Sequence, residues 1–150
     1  TLSSAKDVGT VDYGDGTAIL AAAGDYSGEL IKSGDDSTTP GNLYYLKSDG
    51  VWTSARADVG QTGNEMSSSL LGVAVGTNST THGMLVRGIV YVNGITDTEV
   101  VGQRVFVGEA AGTFTTTAPT TTGDIVRVVG YTLATSKIYF NPDPTWIKLS

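Results

Sequence analysis

The chain states one strand pattern twice, and that repetition limits its possible folds more than any other feature. The first pass reads Gly41-Asn-Leu-Tyr44-Tyr45-Leu46, Gly50-Val-Trp52-Thr53-Ser-Ala55, Leu71-Gly72-Val73-Ala74-Val75 and Gly83-Met84-Leu85-Val86. The second reads Gly102-Gln-Arg-Val105-Phe106-Val107, Gly112-Thr-Phe114-Thr115, Val129-Gly130-Tyr131-Thr132-Leu133 and Lys137-Ile138-Tyr139-Phe140. Each is a hairpin, a polar spacer, a buried strand and a second buried strand. A unit of about fifty residues is near the size at which a separate core becomes marginal, so the two halves are expected to share one. The fold class that follows is all-β: a compact β-barrel or β-sandwich with internal pseudo-two-fold duplication, units about 41–92 and 102–149. Residues 1–27 read as an extended N-terminal arm and 28–150 as a single β domain.

Composition agrees with many short strands. Gly numbers 20 and Thr exceeds it, while charged residues make up only 16%. Branched Thr packs well on a pleated face, and Gly and Asp punctuate turns. The Asp49-Gly50 pair between Leu43–Lys47 and Val51–Ala55 is the strongest turn signal, a pair that primed hairpin turns favour. Leu70–Val75 is almost continuously apolar and predicts a strand buried on both faces. In the long strand from Met84 to Val92, period-two alternation puts Met84, Val86, Val90 and Val92 on one face and Leu85, Arg87, Ile89 and Tyr91 on the other. Ile125–Ala134 reads as the longest strand, with Gly130 marking a bulge or a close backbone approach. Tyr45 and Phe106 hold equivalent repeat positions, as do Trp52 and Phe114, which predicts equivalent packing.

The formal charge of −6 disfavours nucleic acid, whose phosphates attract basic surfaces. Cys is absent, so neither disulfides nor thiolate metal sites hold the fold. No apolar run approaches the roughly twenty residues of a membrane span, and no membrane partner is expected. Ala18–Ala23 reads as one helical turn or an edge strand.

Chemistry finds little to work with. Nucleophilic catalysis needs a base beside the nucleophile, and the one His, His82, sits in a turn beside Gly83. Asp12, Asp15, Asp35, Asp36, Asp49, Asp58, Asp97, Asp124 and Asp143 mostly adjoin Gly, Ser, Thr or Pro, as turn-forming Asp does. Asp12-Tyr-Gly-Asp15-Gly16 departs from the EF-hand spacing. Tyr44, Tyr45, Trp52, Tyr91 and Trp146 could form a sugar-stacking platform, although packing is the stronger expectation. Arg87 and Arg127 lie in apolar strands and call for partners, with Glu29, Glu65 or Glu99 as candidates. No catalytic, cofactor-binding or metal-ligating residue is assigned, and no enzyme is expected.

The string Gly41-Asn-Leu-Tyr-Tyr-Leu-Lys-Ser-Asp-Gly-Val-Trp-Thr, with Ser69-Leu-Leu-Gly-Val-Ala-Val-Gly-Thr, resembles a β domain of tailed-bacteriophage virion proteins. So do Gly83-Met-Leu-Val-Arg-Gly, Gly123-Asp-Ile-Val-Arg-Val-Val-Gly-Tyr and Ile138-Tyr-Phe-Asn-Pro-Asp-Pro-Thr-Trp. The resemblance spans about residues 41–149. It implies a non-enzymatic virion structural protein of the capsid decoration (cement) or head-fibre type. Its partners would be the major capsid protein and neighbouring copies in a homotrimer, on the outer surface of the capsid. The alternative it implies is a tail-fibre or receptor-binding module that meets a host surface glycan, with the Thr-rich loop Thr115–Thr122 among the contacts. The family supplies no catalytic residues to carry over.

Overall fold

A computed structural model of the chain describes residues 20–58, 68–96 and 101–150. Eleven strands are found there: β1 (Tyr26–Ile31), β2 (Leu43–Leu46), β3 (Trp52–Ser54), β4 (Leu71–Ala74), β5 (Met84–Tyr91), β6 (Arg104–Val107), β7 (Phe114–Thr115), β8 (Ile125–Val126), β9 (Val128–Ala134), β10 (Lys137–Phe140) and β11 (Ile147–Lys148). The fold is all-β, with one large antiparallel sheet curled into a half-barrel. The arm residues 1–19, Asp97 and the two candidate partners Glu65 and Glu99 lie outside the described residues. The rest of the expected arm contacts the sheet: Leu20 is buried, the Gly24 amide donates to the Tyr91 carbonyl, and β1 opens at Tyr26. Ala21 and Ala22 belong to a turn whose amides both donate to the Asp25 carboxylate at 2.9 Å.

The duplication is visible in the strand order, β3-β2-β4-β5-β10-β9-β6-β7. Read from either end, it is second hairpin strand, first hairpin strand, third strand, fourth strand. The pairing partners repeat as well. Tyr45 faces Thr53 as Phe106 faces Thr115, and Tyr44 faces Gly72 as Val105 faces Gly130. β5 joins the halves. It pairs with β1 along most of its length, with β4 at Met84 and Leu85, and with β10 from Gly88 to Tyr91. Each strand has two edges, so β4 and β10 follow one another along the edge opposite β1. Two wings leave that edge, and one apolar cluster drawn from both fills the interior: Leu43, Tyr45, Leu71, Val73 and Leu85 with Val105, Val107, Val129, Ile138 and Phe140. Beyond β3 the chain closes the interior with backbone bonds, Ala57 to Gly108 at 2.7 Å and Ile125 to Ala57 at 2.9 Å.

Four local expectations need correction. Tyr45 and Phe106 do not pack alike, nor do Trp52 and Phe114. Tyr45 and Phe114 point into the main cluster, Trp52 belongs to a second cluster with Tyr44, Ala74 and Met84, and Phe106 belongs to neither. Polar residues set the phase. Exposed Arg104 turns Val105 and Val107 inward, whereas the first hairpin alternates from Asn42 and turns Leu43 and Tyr45 inward. That is a shift of one residue relative to the two leading glycines, and a shift of one exchanges every side chain between faces.

The alternation along β5 also departs from expectation. Leu85 shares the main cluster with Val90 and Val92, while Met84 joins the second. Leu30 pairs with Leu85 and Glu29 with Arg87, which leaves Val86 without an opposite number on β1. An extra residue of this kind reverses the alternation beyond it.

The Asp49-Gly50 turn is not primed. The Gly50 amide donates to the Lys47 carbonyl at 2.9 Å, and only Gly50 of the turn has positive φ, 88°. This is the three-residue loop with a left-handed glycine at its end. Finally, Ile125–Ala134 is two strands interrupted at Arg127, and the eight-residue β5 is the longest. Gly130 is the close approach expected, because a Cβ there would run into the Tyr139 carbonyl oxygen. β4 is likewise as expected, with Leu71 and Val73 in the main cluster and Ala74 in the second.

Candidate binding surface

The two wings differ on their outer faces. On the first wing, the loop 33–39 lies against the second cluster. The Trp52 amide donates to the Asp36 carboxylate at 2.7 Å, and the Thr39 amide donates to the Tyr44 hydroxyl at 2.8 Å. Ser79, fully buried, accepts from the Asp36 amide at 2.9 Å and donates to the Ser33 carbonyl at 2.7 Å. These bonds hold the loop down, so Tyr44 and Trp52 are only 6% and 3% exposed.

Among the described residues, no loop covers the outer face of the second wing. Tyr131 and Tyr139 are direct cross-strand partners, 45% and 37% exposed. Their row continues in register across five strands: Arg104 on β6, Tyr131 on β9, Tyr139 on β10, Ile89 on β5 and Ser27 on β1. One row to one side, Lys137 lies opposite Tyr91 with its ammonium 5.8 Å from the ring centre, a cation–π contact. One row to the other side, Arg87 pairs with Glu29 at 3.3 Å, both exposed. Among the described residues the face thus carries three cations, Arg104, Lys137 and Arg87, and two acids, Glu29 and, opposite Tyr91, Asp25, on a chain whose net charge is −6.

Of the aromatics considered for a sugar platform, three are packed, as the stronger expectation had it. Tyr44, Tyr45 and Trp52 are buried, whereas Trp146 is exposed on the segment leading into β11. The exposed ring pair is Tyr131 with Tyr139, which repeat equivalence disguised, since their counterparts by pairing, Val73 and Leu85, are core residues. Arg87 does reach Glu29, as expected. Arg127 instead directs its guanidinium at backbone: Nε donates to the Asp143 carbonyl and Nη1 to the Ser69 carbonyl, each at 2.7 Å. Burial pulls its pKa down, and the nearby Asp143 carboxylate partly offsets this.

Among the described residues no cleft or cavity opens, and no three His, Cys, Asp or Glu side chains could hold a metal ion together. His82 is exposed in its turn. Asp12 and Asp15 lie outside the described residues.

One acid does stand out. Asp124 is 1% exposed, and its Oδ2 has no hydrogen-bond partner among the described residues. Burial raises its pKa above the ordinary 3.8, with Glu109 and then Asp58 adding repulsion. A raised native pKa means that the native state holds the proton more tightly than the unfolded chain does. Asp124 therefore penalises folding increasingly as pH rises from about 4 through the native pKa. Asp124→Asn should accordingly raise the thermal midpoint at pH 7, and that advantage should fade below about pH 4. Melting curves of both proteins across this range test it, and a gain that persists undiminished at pH 3 contradicts it.

No protein-family model matches this chain, and no curated protein matches it at a significant level. The likeness to phage virion domains therefore rests on the strings quoted above. What the structure contributes is the duplicated all-β frame and its open tyrosine-bearing face.

Proposed function

We propose that this chain is a non-enzymatic structural protein of a phage virion, a capsid decoration or head-fibre protein that docks on the outside of the shell. The observation that supports this is the open face of the second wing. Two exposed tyrosines lie there in register on a sheet that is bonded together from β1 to β7. A face already ordered by its ladder loses little freedom on docking, so more of the contact energy remains as affinity. An acidic chain of net charge −6 also suits dense display, because like charges keep neighbouring surfaces from aggregating. Neighbouring copies complete the assembly as a homotrimer.

Immunogold labelling of particles from the source culture is the test. Label over the capsid shell supports the proposal, and label at fibre tips moves the protein to the receptor-binding reading. Particles without label reject both. Mass measurement of the purified protein should give three times the chain mass.

One double variant separates the face from the frame. Tyr131→Ala combined with Tyr139→Ala should cost about 1–2 kcal/mol of stability, from the lost cross-strand pair and part of its burial, and leave the domain folded. The same variant should lose its place on the particle. Unaltered labelling by the double variant would move the docking surface elsewhere.

A further inference from the structure

Around the Asp143–Pro144 bond the fold gathers a nucleophile, an oxyanion donor and a good leaving group. We propose that the Asp143 side chain cuts the backbone after its own residue, with Arg127 stabilising the oxyanion, and so releases the segment that begins at Pro144. The reaction occurs once per molecule on its own chain. It does not depend on the docking face or on where the protein sits on a particle.

Sequence supplies the leaving group and the nucleophile. The four prolines follow Thr39, Ala118, Asn141 and Asp143, so Pro144 alone follows an acid. A proline nitrogen carries no hydrogen and three carbon substituents. It is more basic than an ordinary peptide nitrogen and leaves more readily once protonated. An aspartate side chain has the right length to attack its own main-chain carbonyl carbon, because attack closes a five-membered ring.

Structure supplies the oxyanion donor. Arg127 is 7% exposed, and its Nε donates to the Asp143 carbonyl oxygen at 2.7 Å. That oxygen takes up negative charge as its carbon becomes tetrahedral. A cationic donor at this distance, itself largely withdrawn from water, stabilises such a charge. The Ser69 carbonyl holds the same guanidinium at 2.7 Å through Nη1, so the donor is already in place.

The nucleophile and both ends of the bond are held as well. The Thr145 amide donates to Asp143 Oδ1 at 2.8 Å, a bond that spans the 143–144 peptide and leaves Oδ2 to attack. Upstream, the Asn141 and Asp143 amides donate to the Val129 and Val128 carbonyls at 2.8 and 2.9 Å. Downstream, β11 pairs with β8. Groups fixed in this way react without first losing freedom.

The step needs only water. Oδ2 bonds to the Asp143 carbonyl carbon, the bond from that carbon to the Pro144 nitrogen breaks, and the nitrogen takes a proton from solvent. The cyclic anhydride that remains adds water and opens to two carboxyl groups. One product ends at Asp143, and the other, Pro144–Ser150, carries Trp146 and β11. Among the described residues β11 is the only strand paired with β8, so its departure leaves β8 unpaired.

Incubation of the purified full chain in mildly acidic buffer over several days, read by intact mass, tests the assignment. Two fragments are expected whose masses sum to the parent plus one water, with Pro144 as the new N-terminus. The folded chain should cleave about tenfold faster, or more, than the same chain in urea. Arg127→Met should slow cleavage about a hundredfold, although losing its hydrogen bonds loosens this corner. Arg127→Lys should retain part of the rate, and Asp143→Ala should abolish cleavage. Circular dichroism melts of each variant show that the fold persists.

A chain that stays intact overturns the inference. Equal or faster cleavage in urea overturns it too, because the lability would then belong to the dipeptide and not to the fold. So does a wild-type or faster rate in Arg127→Met, which would make the guanidinium a structural tie only. Cleavage that survives in Asp143→Ala points to a contaminating protease and also overturns it.

Discussion

Phe140→Ala should destabilise the protein by about 3–5 kcal/mol, the range for removing a buried aromatic ring. Phe140 is completely buried, and its ring meets Phe114 edge to face with centroids 6.4 Å apart. Phe114 comes from the second hairpin and Phe140 from β10, which pairs with both β5 and β9. Removing the ring therefore opens a void where β10, the hairpin and the shared interior meet, and close-packed neighbours relax into it only in part. Native stability totals about 5–15 kcal/mol for an ordinary domain, so this one change consumes much of it. Urea denaturation followed by tryptophan fluorescence measures the loss. A midpoint shift equivalent to less than about 1 kcal/mol would mean that Phe140 does not anchor the shared interior.

Arg127→Met should cost about 3 kcal/mol, since hydrogen bonds to a charged group contribute about 1.5–3 kcal/mol each. Methionine keeps most of the apolar stem and deletes the guanidinium. The carbonyls of Ser69 and Asp143 then lose the donor that ties them together across the chain. The loss should appear first near the C-terminus. There the Leu149 amide bonds the Asp124 carbonyl and the Gly123 amide bonds the Leu149 carbonyl, each within 2.9 Å. Hydrogen exchange should show these two amides exchanging faster while Val90 and Ile138 in the core keep their protection. Arg127→Lys should recover only part of the stability, because one ammonium cannot reproduce the two-directional fork. Equal protection of Leu149 in the methionine variant would show that the guanidinium does not hold this corner.

Strand positions are readable from the sequence because alternation and turn residues are local properties. Leu71–Ala74 was legible as a strand buried on both faces, and both hairpins fell where Gly50 and Gly112 punctuate the chain. The partner of Arg87 was also within reach, since Glu29 lies on a short apolar segment that could pair with it. Arg127 was not. Its acceptors are backbone carbonyls, which every residue has, so no side chain advertises them. Phe106 and Tyr45 look interchangeable in an aligned repeat, yet Arg104 forces the second hairpin one residue out of phase. The candidate face was hidden for a similar reason. Tyr131 and Tyr139 stand in strings that read as core, and only the absence of a covering loop on the second wing, among the described residues, exposes them.

By itself the sequence determined that this protein is all-β, that its strands come in two matching sets, and that its charge is acid. Those follow from period-two patterning, turn chemistry and composition, which need no partner. Tertiary structure alone decided which side of each strand faces inward and which aromatic rings meet solvent. The deciding events are an unmatched Val86 opposite β1, a loop bonded over one wing, and exposed tyrosines on the sheet of the other. Each is a relation between segments far apart in the chain. Alternation says which residues share a side and is silent on which side the rest of the molecule will cover.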